Sequence, residues 1–336
     1  MELYKRSQWR ADQDLNSAQK RATVTGMRVG LYIDPAVSPR AGGAKTWVEG
    51  PALASGVSLG APPDALAPGG RCWGLTPLSP HLCRAQGYPG FARLLRSVMR
   101  HAGIIRNDHI LGLMRSFWIP DGASSGTYIN YPFDALLAAV AIESARSDGI
   151  VIGEDLGLVP DGLREKLAAS GIYSLDVMQS MRSHDGEFTD MQHARPKVNS
   201  AFAPHDTPTI ACFFSAEAAK YCLKLGTHAD TAWADIFRDR DHTRTTRGGA
   251  EPVEVIHGRL TAAQSEFVAV QMDDIAHLQT QQNVPGTVDE YPNRRQKSPF
   301  ALSDVAASAE FTKLSDAMHS HGLANPRLNG DGSCRS

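Results

Sequence analysis

Cysteine is scarce in this sequence, and the few cysteines are poorly placed for a disulfide or zinc framework. Cys72, Cys83, Cys212, Cys222 and Cys334 are an odd number scattered along 336 residues, and no two are separated by only two residues. Zinc sites use that short spacing, and disulfide frameworks are typical of small secreted domains. The cysteines therefore indicate reduced thiols and a cytoplasmic protein.

The chain also lacks a strong charge of either sign and a long apolar run. Its formal charge is −2 without a basic block, so neither nucleic acid nor an anionic membrane surface is an expected partner. Residues 1–10 are charged, unlike a signal peptide, and the longest apolar region, residues 135–142, is too short to cross a bilayer. With 42% hydrophobic residues, the chain can instead bury a sizeable core.

One stretch in the middle of the chain predicts a functional strand end. Residues 150–152 form a β-branched apolar run between Gly149 and Gly153, and Glu154 and Asp155 follow at once. Such a run predicts a buried strand of a parallel sheet, whose carboxyl end meets ligands. The same pattern recurs in three places, which end in Arg106, Asp108 and His109, in His205 and Asp206, and more weakly in Asp34. Carboxylates gathered at strand ends are what chemistry on a glycosidic bond requires.

Strand-like and helix-like segments alternate along the chain, which predicts an α/β protein with a parallel sheet. We count six such units and favour a (β/α)8 barrel of the TIM-barrel type, because catalytic side-chain types follow at least three strands. A doubly wound nucleotide-binding sheet would show the same order, but neither GxGxxG nor GxxxxGK[ST] follows any strand. Residues 35–80, rich in proline and glycine, predict a long functional loop, and residues 324–336 a disordered tail. The predicted strands are residues 28–33, 104–107, 150–152 and 172–177, a strand around residue 202, and residues 266–272; the predicted helices are residues 7–26, 88–102, 132–147, 160–170, 208–223, 227–239 and 308–319.

Several motifs give the chain a specific resemblance to a known family. The patterns Gly-Leu-Tyr-Ile-Asp, Arg-Asn-Asp-His, Gly-Glu-Asp-Leu-Gly and Asn-Val-Pro-Gly-Thr resemble those of the 4-α-glucanotransferases, also called amylomaltases or disproportionating enzymes, of the α-amylase clan. The matching stretches run in the family's order across nearly the whole chain: residues 8–12, 30–34, 56–64, 73–74, 99–103, 106–109, 153–157, 205–209 and 283–287.

The resemblance implies an activity and a role for each motif residue. Asp108 is the implied nucleophile, Glu154 the general acid/base, and Asp206 a carboxylate that stabilises the transition state. The implied substrate-binding residues are Asp34, Arg106 and His205 on the donor sugar, with Tyr32, Trp73 and Asn283 near the glucan groove. The activity is retaining transfer of α-1,4-glucan segments between maltodextrins, and the resemblance implies neither a metal nor an organic cofactor.

Elementary chemistry supports two of these roles. Arg106 lies two residues before Asp108, so on a strand both side chains share a face and the guanidinium favours a charged nucleophile. Glu154 must be protonated at neutral pH, which burial against Ile152 and a neighbouring carboxylate would achieve. A retaining mechanism needs the two carboxyl groups roughly 5–5.5 Å apart. The loop at residues 35–80 could exclude water, which separates a transferase from a hydrolase. The role of His109 stays open.

The resemblance also implies that the chain supplies barrel strands three to eight, with the first two missing. Residues 1–323 would be a partial barrel catalytic domain, with residues 35–87 a long loop or subdomain between strands three and four. Six strands cannot close an eight-stranded barrel, because strand number, tilt and shear are linked. We therefore expect a truncated homologue or fragment with weak or absent activity in isolation, for which a complementing N-terminal segment is a candidate partner.

Two alternatives to glucan transfer stay open: hydrolysis of α-glucan, and a non-catalytic fragment that only binds it. Glucose without longer products would select the first, and binding without turnover the second. Asn107 stands where the family usually has an aliphatic residue, and it would add a polar group to a packed layer.

Overall fold

The chain divides into two units, and the structure, a computed structural model, describes parts of both. The first unit comprises Met1–Pro62 and Gly70–Ser174, and the second comprises Pro63–Gly69 and Leu175–Ser336. Both units combine helices with parallel strands, which is the α/β class that the sequence predicts. The described residues are 2–63, 69–181, 188–189, 195, 197–215, 253–284, 287 and 289–323.

Helices and strands are numbered here in chain order within the described residues. The helices are α1 (Glu2–Val24), α2 (Ala44–Glu49), α3 (Pro80–Gln86), α4 (Pro89–Met99), α5 (Phe133–Ser147), α6 (Leu163–Ala169), α7 (Ile210–Phe213), α8 (Val253–Ala262), α9 (Met272–Ile275), α10 (Leu302–Val305) and α11 (Ala309–Leu323). The strands are β1 (Tyr32–Ile33), β2 (Val57–Ala61), β3 (Arg71–Leu75), β4 (Ile104–Asn107), β5 (Arg115–Pro120), β6 (Thr127–Asn130), β7 (Ile150–Gly153), β8 (Ser174–Val177), β9 (Val198–Ala201) and β10 (Phe267–Ala269). Of these helices, none combines the length and the apolar character that a membrane span requires.

A parallel three-stranded sheet in the order β1-β4-β7 is the frame of the first unit. Strands β4 and β7 run side by side and end together, with Asn107 opposite Gly153. Ile105 and Val151 point from the sheet into a core that α4, α5 and α6 complete. Because side chains alternate along a strand, Arg106 faces the other side of the sheet. The local alternation therefore separates the packing residues of β4 from its charged ones.

The edge strand β1 is shorter than the predicted strand at residues 28–33, because a helix side chain takes its backbone hydrogen bonds. Gln19 of α1 donates from Nε2 to the carbonyl of Val29 (3.2 Å), and its Oε1 accepts from the N–H of Leu31 (2.6 Å). Gly30, between them, has a φ of +75°, a left-handed conformation that suits glycine and not a strand. The strand consequently starts only at Tyr32.

Part of the predicted long loop at residues 35–80 is an antiparallel sheet instead. Four strands of the first unit pair in the order β3-β2-β5-β6. A Cβ at Gly60 of β2 would lie 2.1 Å from the carbonyl oxygen of Arg71 and 2.7 Å from Cδ1 of Ile119. Glycine at this position therefore permits close approach between strands, although in the sequence it looks like a loop signal.

The second unit contains another three-stranded sheet, in the order β10-β9-β8, in which β10 and β9 run parallel. Strand β9 ends at Ala201, and the predicted strand residue Phe202 follows it into a core with Phe213, Ile256 and Leu260. Aromatic rings dominate this core: Phe202 and Phe213 meet edge-to-face with 5.7 Å between ring centroids. The predicted helix at residues 227–239, the second half of the one at 208–223, and the predicted tail at 324–336 lie outside the described residues.

Asn107 buries a polar group without a partner, and this leads to a first prediction. Its Nδ2 is buried and donates to no hydrogen-bond acceptor within the described residues. Leaving such a donor unpaired costs about 1–3 kcal/mol. We expect Asn107→Leu, which has a similar shape and no donor, to raise the free energy of unfolding by about 1 kcal/mol in urea denaturation.

The matched control is Asn130→Leu at the exposed end of β6. This change should shift the unfolding free energy by less than about 0.5 kcal/mol, as is usual at the surface. Equal effects at the two positions would show that the unpaired amide of Asn107 is not what destabilises β4.

Candidate active site

Arg106 is the centre of an ionic network at the end of β4. Its Nη1 lies 2.5 Å from Oδ1 of Asp108 and 2.9 Å from Oδ2 of Asp34, which follows β1. Burial disfavours its charge, but Asp108, Asp34 and Glu154 more than compensate and raise the pKa of Arg106 above its ordinary value. The guanidinium therefore stays charged and ties the ends of two parallel strands together, with Asp108 on the same face as the two-residue spacing predicts.

Glu154 follows β7 and is held by main-chain donors from two loops. Its Oε2 accepts from the N–H of His109 (2.9 Å), and its Oε1 accepts from the N–H of Leu156 (3.3 Å). Burial raises the pKa of Glu154, Arg106 opposes that rise, and Asp108 adds to it, so that the pKa is about 7. At neutral pH much of Glu154 is therefore protonated, as a general acid requires.

His109 joins the ends of β4 and β7 through an unusual backbone conformation. Its φ is 48°, in the left-handed region, and its ring meets Trp73 of β3 edge-on with 5.1 Å between centroids. Burial lowers the pKa of the His109 imidazole, and Asp108 offsets this only in part. The ring is therefore neutral at neutral pH, beside the carboxyl group that its backbone holds.

The neighbours of Glu154 in its motif hold the loop in place. A Cβ at Gly153 would lie 2.4 Å from Cδ1 of Ile110, so only glycine fits there. The side chain of Asp155 is fully buried, and its Oδ2 lies 2.6 Å from Nε of Arg164 in α6. Arg164 also donates to the carbonyl of Asp155 (2.9 Å). Asp155 thus fixes the loop to α6, which leaves Glu154 as the carboxyl available for chemistry.

The second unit carries Asp206 in a turn after β9. Oδ1 of Asp206 accepts from Nδ2 of Asn283 (2.7 Å) and lies 3.5 Å from Nε2 of His205. Nε2 of Gln281 donates to the carbonyls of Asp206 (2.9 Å) and Asn283 (2.6 Å). Three residues that the sequence singles out, Asp206, His205 and Asn283, are therefore neighbours, and Gln281, which sequence reasoning missed, fixes their backbones.

A buried pair behind this turn also escaped the sequence reasoning. Asp274 of α9 accepts at Oδ1 from the N–H of Ile210 (2.8 Å), the first residue of α7. Its Oδ2 lies 3.8 Å from Nε2 of His257, and neither atom has a hydrogen-bond partner within the described residues. Since a carbonyl only accepts, Nδ1 of His257 donates to Val253 (2.9 Å), which leaves Nε2 as a bare acceptor. Two buried acceptors thus face each other, and burial raises the pKa of Asp274 to about 6.

Asp274→Asn is therefore expected to stabilise the protein. The amide oxygen can keep the bond to the N–H of Ile210, and the amide N–H₂ can donate to Nε2 of His257. The folded-state pKa of Asp274, about 6, lies above the ordinary 3.8, so the parent chain loses stability as the pH rises from about 4 to about 6. The variant should match the parent near pH 4 and exceed its unfolding free energy by about 2 kcal/mol at pH 7.

Denaturation at the two pH values, with Asp316→Asn on the exposed side of α11 as control, checks this prediction. The control should show no pH-dependent gain. A gain for Asp274→Asn that is equal at pH 4 and pH 7 would mean that the charge of the buried carboxylate is not responsible.

The sequence-predicted site residues thus fall into two sets. In the first unit, Arg106 interacts electrostatically with the strand-end residues Asp34, Asp108 and Glu154. Trp73 contacts His109, whose N–H binds Glu154. Tyr32 lies in the edge strand β1, two residues before Asp34, with 42% of its surface exposed. The second unit holds His205, Asp206 and Asn283. That these two sets form a single site stays a prediction.

Two carboxyl groups at strand ends, one of them with a pKa near neutrality, are typical of enzymes that act on glycosidic bonds. The sequence profile of glycoside hydrolase family 77, described as 4-alpha-glucanotransferase, matches residues 1–301. The chain belongs to this family.

Curated relatives agree with the family assignment. The chain is 31% identical to a 4-alpha-glucanotransferase of Haemophilus influenzae over 335 residues, which cover 91% of this chain and 48% of the relative. It is 32% identical to one of Mycobacterium bovis over 338 residues, which cover 93% of this chain and 47% of the relative. The chain therefore spans about half the length of the curated relatives that it matches.

Solved structures show the same relationship. The amylomaltase of Corynebacterium glutamicum matches with a TM-score of 0.83 and 29% identity, covering 93% of this chain and 49% of the other. The amylomaltase of Streptococcus agalactiae, solved in complex with acarbose, matches with a TM-score of 0.73 and 15% identity, covering 92% of this chain and 60% of the other. At that lower identity the second match supports the fold alone.

Proposed function

We propose that this chain carries the catalytic residues of a 4-α-glucanotransferase, which moves α-1,4-glucan segments between maltodextrins by a retaining double displacement. One observation carries the proposal: two carboxyl groups follow adjacent parallel strands, one of them is ion-paired, and the other has a raised pKa that favours its protonated form. Asp108 is ion-paired with Arg106, while Glu154 has a pKa of about 7. A nucleophile and a general acid require these two environments.

In the first half-reaction, the carboxylate of Asp108 attacks the anomeric carbon of the donor sugar. The bond from that carbon to the glycosidic oxygen breaks, and Glu154 gives its proton to the departing oxygen, which leaves on the shortened glucan. In the second half-reaction, Glu154 takes the proton from the 4-hydroxyl of an acceptor glucan. The acceptor oxygen attacks the anomeric carbon and releases Asp108, so that two inversions preserve the α configuration.

The other predicted residues bind the glucan in this proposal. Asp34 and Arg106 hold the donor sugar from the first unit, and Tyr32 and Trp73 line the groove. Asp206 stabilises the transition state, with His205 and Asn283 beside it. The hydrogen bond from Asn283 to Asp206 supports this grouping, because it orients a carboxylate oxygen that is otherwise partly exposed.

We further propose that the six parallel strands correspond to strands three to eight of a (β/α)8 barrel within residues 1–323. The order β1-β4-β7 in one unit and β10-β9-β8 in the other supports this, as does the length of the relatives, about twice the matched region. The inserted segment at residues 35–87 then lies between barrel strands three and four, and an N-terminal segment of the relatives' kind is the partner that would complement the sheet edge at β1. A cytoplasmic location stays part of the proposal.

Incubation of the 336-residue chain with maltotriose tests the activity, because a transferase converts one oligosaccharide into a ladder of shorter and longer ones. Because six strands cannot close an eight-stranded barrel, we expect the isolated chain to react slowly, and its products are glucose together with maltodextrins longer than the substrate. The matched control is Asp161→Asn, which removes an exposed carboxylate on the same loop as Glu154 and should leave the product ladder unchanged.

Two other outcomes would replace the proposal. Glucose and maltose without longer products would assign α-glucan hydrolysis. Maltodextrin binding without turnover, and equally strong in Asp108→Asn, would assign a glucan-binding protein without catalysis.

A further inference from the structure

The distance between the carboxyl groups of Asp108 and Glu154 depends on the peptide group that joins Asp108 to His109. Asp108 and His109 are consecutive, and the N–H of His109 donates to Oε2 of Glu154 at 2.9 Å. The strand ends are tied in the other direction as well, since the N–H of Glu154 donates to the carbonyl of Asn107 (3.0 Å) and the N–H of Ile110 donates to the carbonyl of Glu154 (3.0 Å). The side chain of Glu154 is thus bound to the residue that directly follows Asp108.

His109 has a left-handed backbone in the conformation in which its N–H donates to Glu154. A φ of 48° is unfavourable for a residue with a side chain, so the surroundings must maintain it. The contact that does so is the edge-on packing of the His109 ring against Trp73, with 5.1 Å between centroids and 78° between planes. Such edge-to-face contacts stabilise a structure beyond the area that they bury, and this one therefore offsets backbone strain at His109.

Trp73 belongs to the antiparallel sheet, not to the strands that carry the carboxylates. It lies in β3, and the next residue, Gly74, has a φ of +66°, which turns the chain directly after the tryptophan. The inserted segment therefore contacts the strand ends through this ring pair. The inserted segment, which the sequence suggests as a cover that excludes water, thereby also contacts the residue whose N–H binds Glu154.

We propose that His109 and Trp73 together form a positioning device: Trp73 holds His109 in its left-handed conformation, and the N–H of His109 fixes the carboxyl group of Glu154 relative to Asp108. The inference rests on the proposed function for its meaning in catalysis, because a retaining enzyme needs its two carboxyl groups at a defined separation. The neutral state of the His109 ring, which burial favours, agrees with this role, since no charge at the ring competes for Glu154.

The titration of Glu154 reports on the device without any assay of glucan transfer. The main-chain bond from His109 favours the ionised carboxyl group, and its loss raises the pKa. The full 336-residue chain, labelled with ¹³C at glutamate carboxyl carbons, is titrated by NMR, and the Glu154 signal is assigned by its absence in Glu154→Gln. We expect Trp73→Ala to lower the ionisation constant of Glu154 by about three- to tenfold, the equivalent of one lost hydrogen bond.

Conservative variants separate positioning from general damage. Trp73→Phe keeps an aromatic ring and should restore the parent titration to within about twofold. His109→Asn tolerates the left-handed conformation and should also stay within about twofold, whereas the β-branched His109→Val disfavours it and should behave like Trp73→Ala. If Trp73→Ala does not fold, the comparison of His109→Asn with His109→Val tests the inference by itself.

An unchanged Glu154 titration in folded Trp73→Ala or His109→Val would overturn the inference. A failure of the proposed function looks different. If the titrations shift as expected but the parent chain makes no transfer products, the positioning device stands and the glucanotransferase proposal falls. If transfer occurs while the titrations do not shift, the activity stands and the device falls.

Discussion

Asp108→Asn is expected to lower the rate of glucan transfer by about four orders of magnitude or more, the loss seen when a covalent nucleophile is removed. An asparagine amide cannot form the glycosyl-enzyme, and it cannot be expelled as a carboxylate in the second half-reaction. Arg106 keeps its second partner, Asp34, at 2.9 Å, so the network survives in part. Initial rates of maltotriose disproportionation measure the effect.

Binding should survive this substitution, because asparagine has the shape of aspartate and donor contacts come from other residues. Affinity for maltodextrin, measured by retardation in a glucan-containing gel, should therefore change by less than about tenfold. The control is Asp121→Asn, an exposed carboxylate in the turn after β5, which should transfer glucan like the parent. A transfer rate above about one-tenth of the parent value in Asp108→Asn would remove Asp108 from the nucleophile's role.

We expect the rate of glucan transfer to fall at alkaline pH, because Glu154 loses its proton there. Its pKa of about 7 lies above the ordinary 4.5, so the proton needed by the departing oxygen is present below pH 7 and is lost as the pH rises through that value. The value of kcat/KM, which reports on the free enzyme, should therefore fall by up to about tenfold per pH unit well above pH 7. Rates from pH 5 to pH 9 on maltotriose test the expectation.

Glu154→Gln should remove this alkaline limb and lower the transfer rate by about 10²–10⁴-fold, the usual contribution of a general acid/base. The formation of the glycosyl-enzyme should recover with α-glucosyl fluoride, whose leaving group needs no proton. Glu165→Gln, on the exposed side of α6, is the matched control and should keep the parent profile. An alkaline limb that persists unchanged in Glu154→Gln would assign it to another group.

Much of the first unit could be predicted from the sequence, because its signals are local. The apolar run at 104–107 matches β4, and the run at 150–152 falls within β7. Period-two alternation also predicted that Arg106 and Asp108 share a face, and the ion pair between them follows directly. No local sequence pattern identified the antiparallel sheet, because its strands are short. Gly60 looks like a loop residue in the sequence, and only the structure shows that the carbonyl of Arg71 lies against it.

The same distinction holds for the site. Motif order led to Asp34, Asp108 and Glu154, each of which directly follows a strand, and to Arg106, the last residue but one of β4. His109 stayed open, because its importance lies in a backbone angle and in a ring contact with a residue 36 positions earlier, Trp73. The pairing of His257 with Asp274 was missed for a similar reason, since neither residue lies in a recognisable pattern.

By itself, the sequence determined the α/β class, the position of the parallel strands and the identity of the charged residues at their ends, since these depend on periodicity and neighbours in the chain. Only the tertiary structure decided which group holds a proton near neutrality, where β1 begins, and which main-chain donors orient Glu154. Those properties arise from burial and from contacts between distant segments, and no local pattern of residues encodes the dielectric surroundings or the partner that folding brings into place.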